Sequence, residues 1–238
     1  MTEASNGSTR SVKVGVAVPA AGSGQRMGGT RKAFLELLGE PMLVHAVRPF
    51  LAEARVVAVV VALSSEDASA LPAWSEGRDP RIIFARGGKT RSQSVRAAIE
   101  ALPAEVDIIA VHDAARPLVN SNVVSRCIDL AADGFGAIAG TPAVDTIKYV
   151  GEDKTVAKTP DRGMLWHAHT PQVFPAGVLR QAYSDRSVEG TDDAAVVESL
   201  RSGLQIKMVD AGRLNLKVTH RSDLVLAEAI LTSLSDSS

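Results

Sequence analysis

The stretch VAVPAAGSGQRMGGTRK, which spans Val16–Lys32, passes from an apolar strand into a loop of small residues. Four glycines and three cationic side chains follow the strand: Gly22, Gly24, Gly28, Gly29, Arg26, Arg31 and Lys32. Because glycine has no Cβ, the backbone N–H groups of such a loop come close to an anion. The stretch therefore predicts a phosphate site, although an ordinary glycine-rich turn between a strand and a helix has the same composition.

The spacing of these glycines argues against two common nucleotide-binding loops. A dinucleotide fingerprint needs a glycine three residues after Gly24, and that position is Met27. A Walker A loop ends in Gly-Lys-Ser/Thr, and this stretch contains no such triplet. A dinucleotide-dependent oxidoreductase is therefore disfavoured.

Composition limits the class of protein and of partner. The 238 residues carry a formal net charge of -1, which predicts neither nucleic-acid binding nor an anionic membrane surface as a partner. The single cysteine, Cys127, excludes an internal disulfide and suits a reducing cytoplasm. Residues 1–11 are polar and predict a disordered tail, and residues 12–238 predict one domain.

Apolar, β-branched runs alternate with helical patterns along the chain. Strands are predicted at residues 12–18, 56–63, 82–84, 108–112, 137–141 and 205–209. Helices are predicted at residues 42–54, 65–74, 90–102, 121–133, 176–184, 192–202 and 222–234. This alternation predicts an α/β fold whose mostly parallel sheet has helices on both faces, with ligands bound beyond the carboxyl ends of the strands.

Residues 145–169 interrupt the alternation. A short strand, DTIKYV, leads into the polar stretch GEDKTVAKTPDRG and then into WHAHTPQ. The segment is too long for a simple hairpin and too polar for the core. It predicts either a protruding arm or a solvated surface hairpin.

Several predicted strand ends carry polar residues suited to an anionic ligand. GGKTRSQSV follows the third strand, and Thr90 is placed to cap the next helix. VHDAARP follows the fourth strand, where Asp113 is placed to hold Mg²⁺ or to pair with Arg116 across a turn. His112 favours a structural role, and NLKVT is expected to place Lys217 near a strand end.

Seven motifs in register carry a resemblance to a known family. PAAGSGQRM with Lys32, GGKTRSQSV, VHDAARP, DTIK, WHAHTPQ, TDDA and NLKVT resemble those of the 2-C-methyl-D-erythritol 4-phosphate cytidylyltransferase family, from about Val14 to Leu234. The resemblance implies a Rossmann-like nucleotidyltransferase fold, similar to glycosyltransferase type A. It also implies the transfer of a cytidylyl group from CTP to methylerythritol phosphate, with release of pyrophosphate, in non-mevalonate isoprenoid synthesis.

The resemblance also implies roles for the matching residues of this chain. The implied catalytic residues are Lys32, Arg26 and Lys217. The implied CTP-binding residues are Pro19, Ala20, Ala21, Gly22, Gly24, Gly88, Ser94 and Ala114. The implied substrate-binding residues are Asp113, Arg116, Thr146, Arg162, Thr170 and Thr191. Mg²⁺ is the implied cofactor, near Asp113, and the arm is implied to pass Thr146, Arg162 and Thr170 to the partner's site in a homodimer.

Two alternative functions remain open at this point. A ribitol-5-phosphate cytidylyltransferase would share the glycine loop, the lysine and the arm, although DAARP and WHAHTPQ favour methylerythritol phosphate. A non-catalytic nucleotide-binding module is the second alternative. Such a module would not need the charged set Arg26, Lys32, Asp113 and Lys217, so the presence of this set argues against a non-catalytic function.

Overall fold

The structure is a computed structural model that describes residues 12–22, 32–69, 71 and 79–235. The side chain of Lys32 is outside this description. The predicted tail, residues 1–11, also lies outside the described residues, and the domain boundaries stay a prediction. Among the described helices, none has the length and apolar character needed to cross a membrane.

The described strands and helices follow the predicted α/β alternation. The strands are β1 (Val14–Pro19), β2 (Glu36–Leu37), β3 (Glu40–Pro41), β4 (Val56–Leu63), β5 (Ile82–Arg86), β6 (Ile108–Val111), β7 (Gly136–Pro142), β8 (Tyr149–Val150), β9 (Val156–Lys158), β10 (Trp166–Pro175) and β11 (Ile206–Asp210). The helices are α1 (Met42–Leu51), α2 (Ser65–Ser69), α3 (Arg91–Ala101), α4 (Ser121–Ala132), α5 (Ala176–Ser184), α6 (Asp193–Ser199) and α7 (Arg221–Ser235).

Seven strands form the main sheet, in the order β11-β7-β10-β6-β1-β4-β5. The pairs β1 with β4, β1 with β6, β4 with β5, and β11 with β7 are parallel. The mostly parallel sheet predicted from the sequence is confirmed. The parallel strands β1, β4, β5 and β6 place their carboxyl ends at one edge, where ligands bind in this architecture.

The principal strand missed from the sequence is β10, which pairs antiparallel with both β6 and β7. Its first residues, Trp166–Ala168, are exposed, whereas the stretch from Thr170 to Phe174 is buried. The two prolines and two histidines of this segment conceal the strand pattern. Because β10 runs opposite to β6, its amino-terminal half lies at the carboxyl edge of the parallel strands.

Helices cover both faces of the sheet, as predicted. On one face α1 and α4 pack on Val16, Val18 and Val59. On the other face α3, α5 and α6 pack on Ala17 and Val60. Successive side chains of a strand point to opposite faces, so each of the two core clusters takes alternate residues of β1 and β4. Cys127 lies in α4 within the first cluster, and burial raises the pKa of its thiol to about 12.

Within the predicted arm, β8 and β9 form a hairpin. Its strands are exposed, with Tyr149, Val150 and Val156 open to solvent. Near the end of the predicted arm, Trp166–Ala168 pair with β7 in the main sheet. The bounds of the arm stay a prediction.

Phe174→Ala should strongly destabilise the fold. Phe174 is fully buried on β10, and a Cβ added at Gly136 would lie 2.9 Å from its ring. We expect the free energy of unfolding to fall by about 3 to 5 kcal/mol, the usual cost of such a cavity. Urea unfolding followed by circular dichroism measures the change. Val225→Ala, at a side chain that is 69% exposed on α7, is the control and should shift it by less than about 0.5 kcal/mol.

Candidate active site

The loops after β1 and β5 meet at Gly87. A Cβ on Gly87 would lie 2.7 Å from the Cβ of Ala21 and 3.1 Å from the carbonyl oxygen of Leu63. Both distances are shorter than ordinary van der Waals contact, so the two loops approach this closely only with glycine here. The N–H of Gly87 donates to the Leu63 carbonyl at 2.7 Å.

Hydrogen bonds to the end of β4 place the predicted nucleotide-binding residues beside each other. Pro19 ends β1, and the N–H of Ala20 donates to the carbonyl of Ala62 at 2.8 Å. Gly22 is exposed at the end of this described segment. The predicted loops therefore lie at the same edge of the sheet.

Thr90 caps α3, as predicted. Its hydroxyl accepts from the N–H of Gln93 at 3.2 Å. The Ser94 hydroxyl accepts from the N–H of Gly88 at 3.2 Å and donates to the carbonyl of Thr90 at 3.0 Å. Gly88 and Ser94 are thereby joined, and these contacts fix the loop that opens the helix.

This loop contains the triplet Gly88-Lys89-Thr90, which also ends a Walker A loop. A Walker A loop requires a further glycine five residues before the second one. That position is Ile83, within β5, so the motif is incomplete.

The carboxylate of Asp113 follows β6 and is held by two cations. Arg91 Nε donates to Oδ1 at 3.0 Å, and Lys217 Nζ donates to Oδ2 at 2.6 Å. Burial favours the neutral acid, but Arg91 and Lys217 outweigh it and hold the pKa of Asp113 well below its usual range. The alternative in which Asp113 pairs with Arg116 is not realised, since their link is a backbone hydrogen bond across the turn.

His112 is a structural residue, as predicted. The side chain is fully buried, with Nδ1 at 3.1 Å from the Thr170 hydroxyl and Nε2 at 3.1 Å from the Arg116 carbonyl. A carbonyl only accepts, so Nε2 carries the proton and the hydroxyl donates to Nδ1. The same hydroxyl accepts from the N–H of Asp113 at 3.0 Å.

The implied transfer of Thr170 to a neighbouring subunit's site is corrected. Thr170 is 4% exposed and bonded to Asp113 and His112 of its own chain. The strand β10 carries it into the sheet, so it belongs to the site of the subunit that contains it.

Arg116 and Lys217 line a cleft of about 590 Å³ beside Asp113. Arg116 is buried, and its Nη1 donates to the Asn215 carbonyl at 2.7 Å. Asn215 Nδ2 in turn donates to the Thr170 carbonyl at 2.9 Å. Within the described residues the buried Nε of Arg116 has no partner, which leaves a charged donor for a ligand. Arg213 also lines the cleft, so its walls favour an anion.

Lys217 reaches Asp113 from a loop. NLKVT forms no strand in the structure; it lies in the irregular segment between β11 and α7. The N–H of Val218 donates to the Ala115 carbonyl at 2.8 Å, which anchors this loop to the turn after β6. Ala114, in that turn, is buried.

Some predicted site residues are not connected to this cluster. Gly24 and Arg26 lie outside the described residues, as does the Lys32 side chain. Across the described residues, no hydrogen bond or ion pair joins Thr146, Arg162 or Thr191 to Asp113, Arg116 or Lys217. Thr191 is exposed just before Asp192, which caps α6. Arg162 is exposed and donates to the Val144 carbonyl within its own arm.

Sequence reasoning placed Asp192 and Asp193 at the start of a helix but did not predict the contacts that link α3, β10 and α6. Arg91 makes a two-bond ion pair with the fully buried Asp193. Gln172, buried on β10, donates to Asp192 and accepts from the N–H of Ala194. The motifs TRSQSV and TDDA contain Arg91 and Asp193, but nothing in their spacing shows that the two side chains meet.

The described residues do not form a metal cage of their own. Among them, no group of three His, Cys, Asp or Glu side chains is arranged to hold an ion. Each oxygen of Asp113 already accepts from a cation, and Arg91 and Lys217 would repel a second cation nearby. The arrangement at Asp113 therefore does not fit a resident metal ion.

Comparison with known proteins assigns the family. The model of the family described as 2-C-methyl-D-erythritol 4-phosphate cytidylyltransferase matches residues 14–233. The chain belongs to this family. A cytidylyltransferase of this name from Symbiobacterium thermophilum is 44% identical over 225 residues, covering 92% of this chain and 93% of the relative. The relative from Streptomyces coelicolor is 41% identical, covering 90% of this chain and 83% of its own length.

Solved structures of the family share the fold. The cytidylyltransferase of Thermus thermophilus superimposes with a TM-score of 0.71 at 30% identity, over 93% of this chain and 98% of that one. The synthase from Anaerococcus prevotii gives a TM-score of 0.83 at 23% identity, over 93% and 97%. The resemblance, the nucleotidyltransferase fold and the enzyme class predicted from the sequence are confirmed.

His112 should make the fold sensitive to mild acid. Burial lowers the pKa of His112 to about 4, below its value of about 6.5 in an unfolded chain. The unfolded chain therefore binds the proton first, and stability falls as the pH drops from 6.5 towards 4. We expect His112 to account for roughly 2 kcal/mol of lost unfolding free energy between pH 7 and pH 5.

Urea unfolding at both pH values measures this effect. His112→Gln should show the smaller loss, whereas His220→Gln, at an exposed histidine, should match the wild type. An unchanged pH dependence in His112→Gln would contradict the assignment.

Proposed function

We propose that this chain transfers the cytidylyl group of CTP to 2-C-methyl-D-erythritol 4-phosphate in non-mevalonate isoprenoid biosynthesis. The products are 4-diphosphocytidyl-2-C-methyl-D-erythritol and pyrophosphate. The observation that carries the proposal is the position of two candidate anion-binding regions at one edge of the sheet. The glycine loops join at Gly87 and Ala21, and the cationic cleft beside Asp113 contains Arg116 and Lys217.

The chemistry requires no general base. A phosphate oxygen of methylerythritol phosphate attacks the α-phosphorus of CTP, a new P–O bond forms, and the bond to pyrophosphate breaks in line. The nucleophile is already an anion, so no proton has to be removed from it. The barrier is electrostatic, because two anions approach each other while charge grows on the leaving group.

The cationic side chains of this protein can lower this electrostatic barrier. Lys32, which opens the short helix Lys32–Phe34 after the first loop, is proposed to lie beside the α-phosphate, with Arg26 on the triphosphate. Lys217 and Arg116 are proposed to bind the phosphate of methylerythritol phosphate. Preorganised cations of this kind stabilise the transition state without reorganising during the reaction.

Mg²⁺ remains a proposal, as part of the nucleotide substrate. The triphosphate of CTP offers the oxygen ligands that Mg²⁺ prefers. The ion would enter as the CTP complex and neutralise phosphate charge, while Asp113 keeps its partners Arg91 and Lys217.

Pyrophosphate release with CTP and Mg²⁺ tests the activity and the substrate. We expect release with methylerythritol phosphate and at most slow release with ribitol 5-phosphate, which the family match does not favour. No release with either polyol phosphate would overturn the proposal. Faster release with ribitol 5-phosphate would make it the substrate in place of methylerythritol phosphate.

Lys32→Ala should lower kcat by roughly 10²- to 10³-fold, the usual cost of removing one preorganised stabilising group. The control is Lys13→Ala, because Lys13 precedes β1 at the opposite edge of the sheet, and its kcat should not change. Circular dichroism checks that both variants fold. Full turnover in a folded Lys32→Ala enzyme would remove Lys32 from the reaction.

We also propose a cytoplasmic homodimer in which the arm acts on the partner's site. The support for the dimer is the exposed hairpin, together with Arg162, which is exposed and unconnected to the cluster at Asp113 among the described residues. The support for the cytoplasm is the single cysteine of the sequence. The mainly neutral charge balance argues against nucleic acid or a membrane as a partner.

Mixing Arg162→Ala with Lys32→Ala subunits tests the shared site. In a heterodimer one of the two sites would contain an intact Lys32 and an intact Arg162. We expect about a quarter of wild-type activity after random pairing of subunits. A mixture of Asp113→Asn with Lys32→Ala is the control and should stay inactive, because both residues belong to the site of their own chain. Confirmed heterodimers without rescue would refute the action of the arm on its partner.

A further inference from the structure

Asp193 is a fully buried carboxylate at the start of α6. Arg91 holds it through two hydrogen bonds, from Nη1 at 3.0 Å and Nη2 at 2.7 Å. The Tyr183 hydroxyl donates a third, at 2.6 Å. A paired guanidinium and carboxylate of this geometry fix the plane of the arginine, because both groups are flat and the two bonds are parallel.

The Nε–H of Arg91 points in a direction that the pair with Asp193 fixes, and it bonds a second carboxylate. Nε donates to Oδ1 of Asp113 at 3.0 Å, so one side chain joins two acidic residues 80 positions apart in the chain, on α6 and after β6. A lysine in place of Arg91 would lack this rigid fork and could not reproduce all three bonds.

The linked ion pairs that begin at Asp193 end at the wall of the cleft. Oδ2 of Asp113 accepts from Lys217 Nζ at 2.6 Å, and Lys217 lines the cleft together with Arg116. Four side chains of alternating negative and positive charge are thus joined in space, in the order Asp193, Arg91, Asp113 and Lys217. Removing Arg91 would leave the fully buried Asp193 without its counter-charge.

Other contacts already join α3 to the end of α5 and β10 to the start of α6. Arg96, also on α3, donates to the carbonyl oxygens of Tyr183 at 2.8 Å and Asp185 at 3.0 Å. Gln172 joins β10 to the start of α6. α3 and α5 are therefore joined without the pair formed by Arg91 and Asp193, which in addition joins α3 to the start of α6.

We propose that Arg91 and Asp193 are positioning residues for the polyol-phosphate half of the site. Asp193 fixes Arg91, and Arg91 fixes the carboxylate of Asp113 so that its second oxygen holds the Lys217 ammonium at the wall of the cleft. The inference rests on the proposed function, because it assigns this cleft to methylerythritol phosphate.

The reactivity of Lys217 tests the positioning without substrate. In Asp193→Asn, Arg91 keeps only Asp113 as counter-ion, draws it away from Lys217 and frees the amine. In Arg91→Gln, Asp113 keeps only Lys217 and holds it more tightly. Acylation of Lys217, measured by mass spectrometry against the exposed Lys207, should therefore rise in the first variant and fall in the second, by at least roughly threefold each.

Kinetics tests the consequence for substrate. Asp193→Asn should raise the KM for methylerythritol phosphate by roughly tenfold, as expected for a displaced charged contact, and leave the KM for CTP within about twofold. The nucleotide loop is tied through Thr90, Gln93 and Ser94, not through the Arg91 side chain. Arg91→Gln should raise the same KM, and the double variant should be no worse than the poorer single one.

Arg96→Gln is the matched control for a purely structural loss. It removes buried hydrogen bonds from the same helix without touching Asp113, so it should lower stability and leave both KM values and Lys217 acylation unchanged. Equal changes of both KM values, or acylation that does not move in opposite directions in the two variants, would overturn the positioning role. Failure of the wild type to release pyrophosphate would refute the proposed function instead, and the acylation result would still decide the positioning.

Discussion

One antiparallel strand, β10, sets the geometry on which the rest of the site depends. Its backbone pairs with β6 on one side and β7 on the other, so it separates two groups of parallel strands. A strand of this direction brings its first residues to the edge where the parallel strands end. Thr170 thereby meets Asp113 and His112, and Gln172 reaches the start of α6. Without the reversal, the turn after β6 would lack both supports.

The negative charge of Asp113 then determines which side chains surround the turn after β6. A carboxylate as buried as Asp113 stays ionised only with cationic partners, and the fold brings one from α3 and one from the loop before α7. Neither cation is a neighbour in sequence, and both come from elements that pack on different parts of the sheet. The result is a cleft lined by Arg116 and Lys217, while Arg91 is committed to acidic partners within the protein.

The sequence predicted most of this frame and only part of the site. The run VVAVVVAL predicts a strand with the bounds that β4 has, because a strand buried on both faces is apolar throughout. Thr90 was found as a cap from local pattern alone. The strand β10 was missed because its prolines and histidines match no simple period, and its burial comes from neighbours distant in sequence. The ion pair between Arg91 and Asp193 joins residues 102 positions apart, a separation that no local pattern encodes.

The close approach of the two glycine loops restricts how members of this architecture vary. A side chain at position 87 would occupy the space that the methyl group of Ala21 fills, so the two positions share one volume. Ala21 alone does not set this limit, because the Ser94 hydroxyl at 3.0 Å and the Leu63 carbonyl oxygen at 3.1 Å would also crowd a Cβ at position 87. Position 87 should therefore remain glycine over evolutionary time even where position 21 loses its methyl group, since the backbone of β4 cannot move aside.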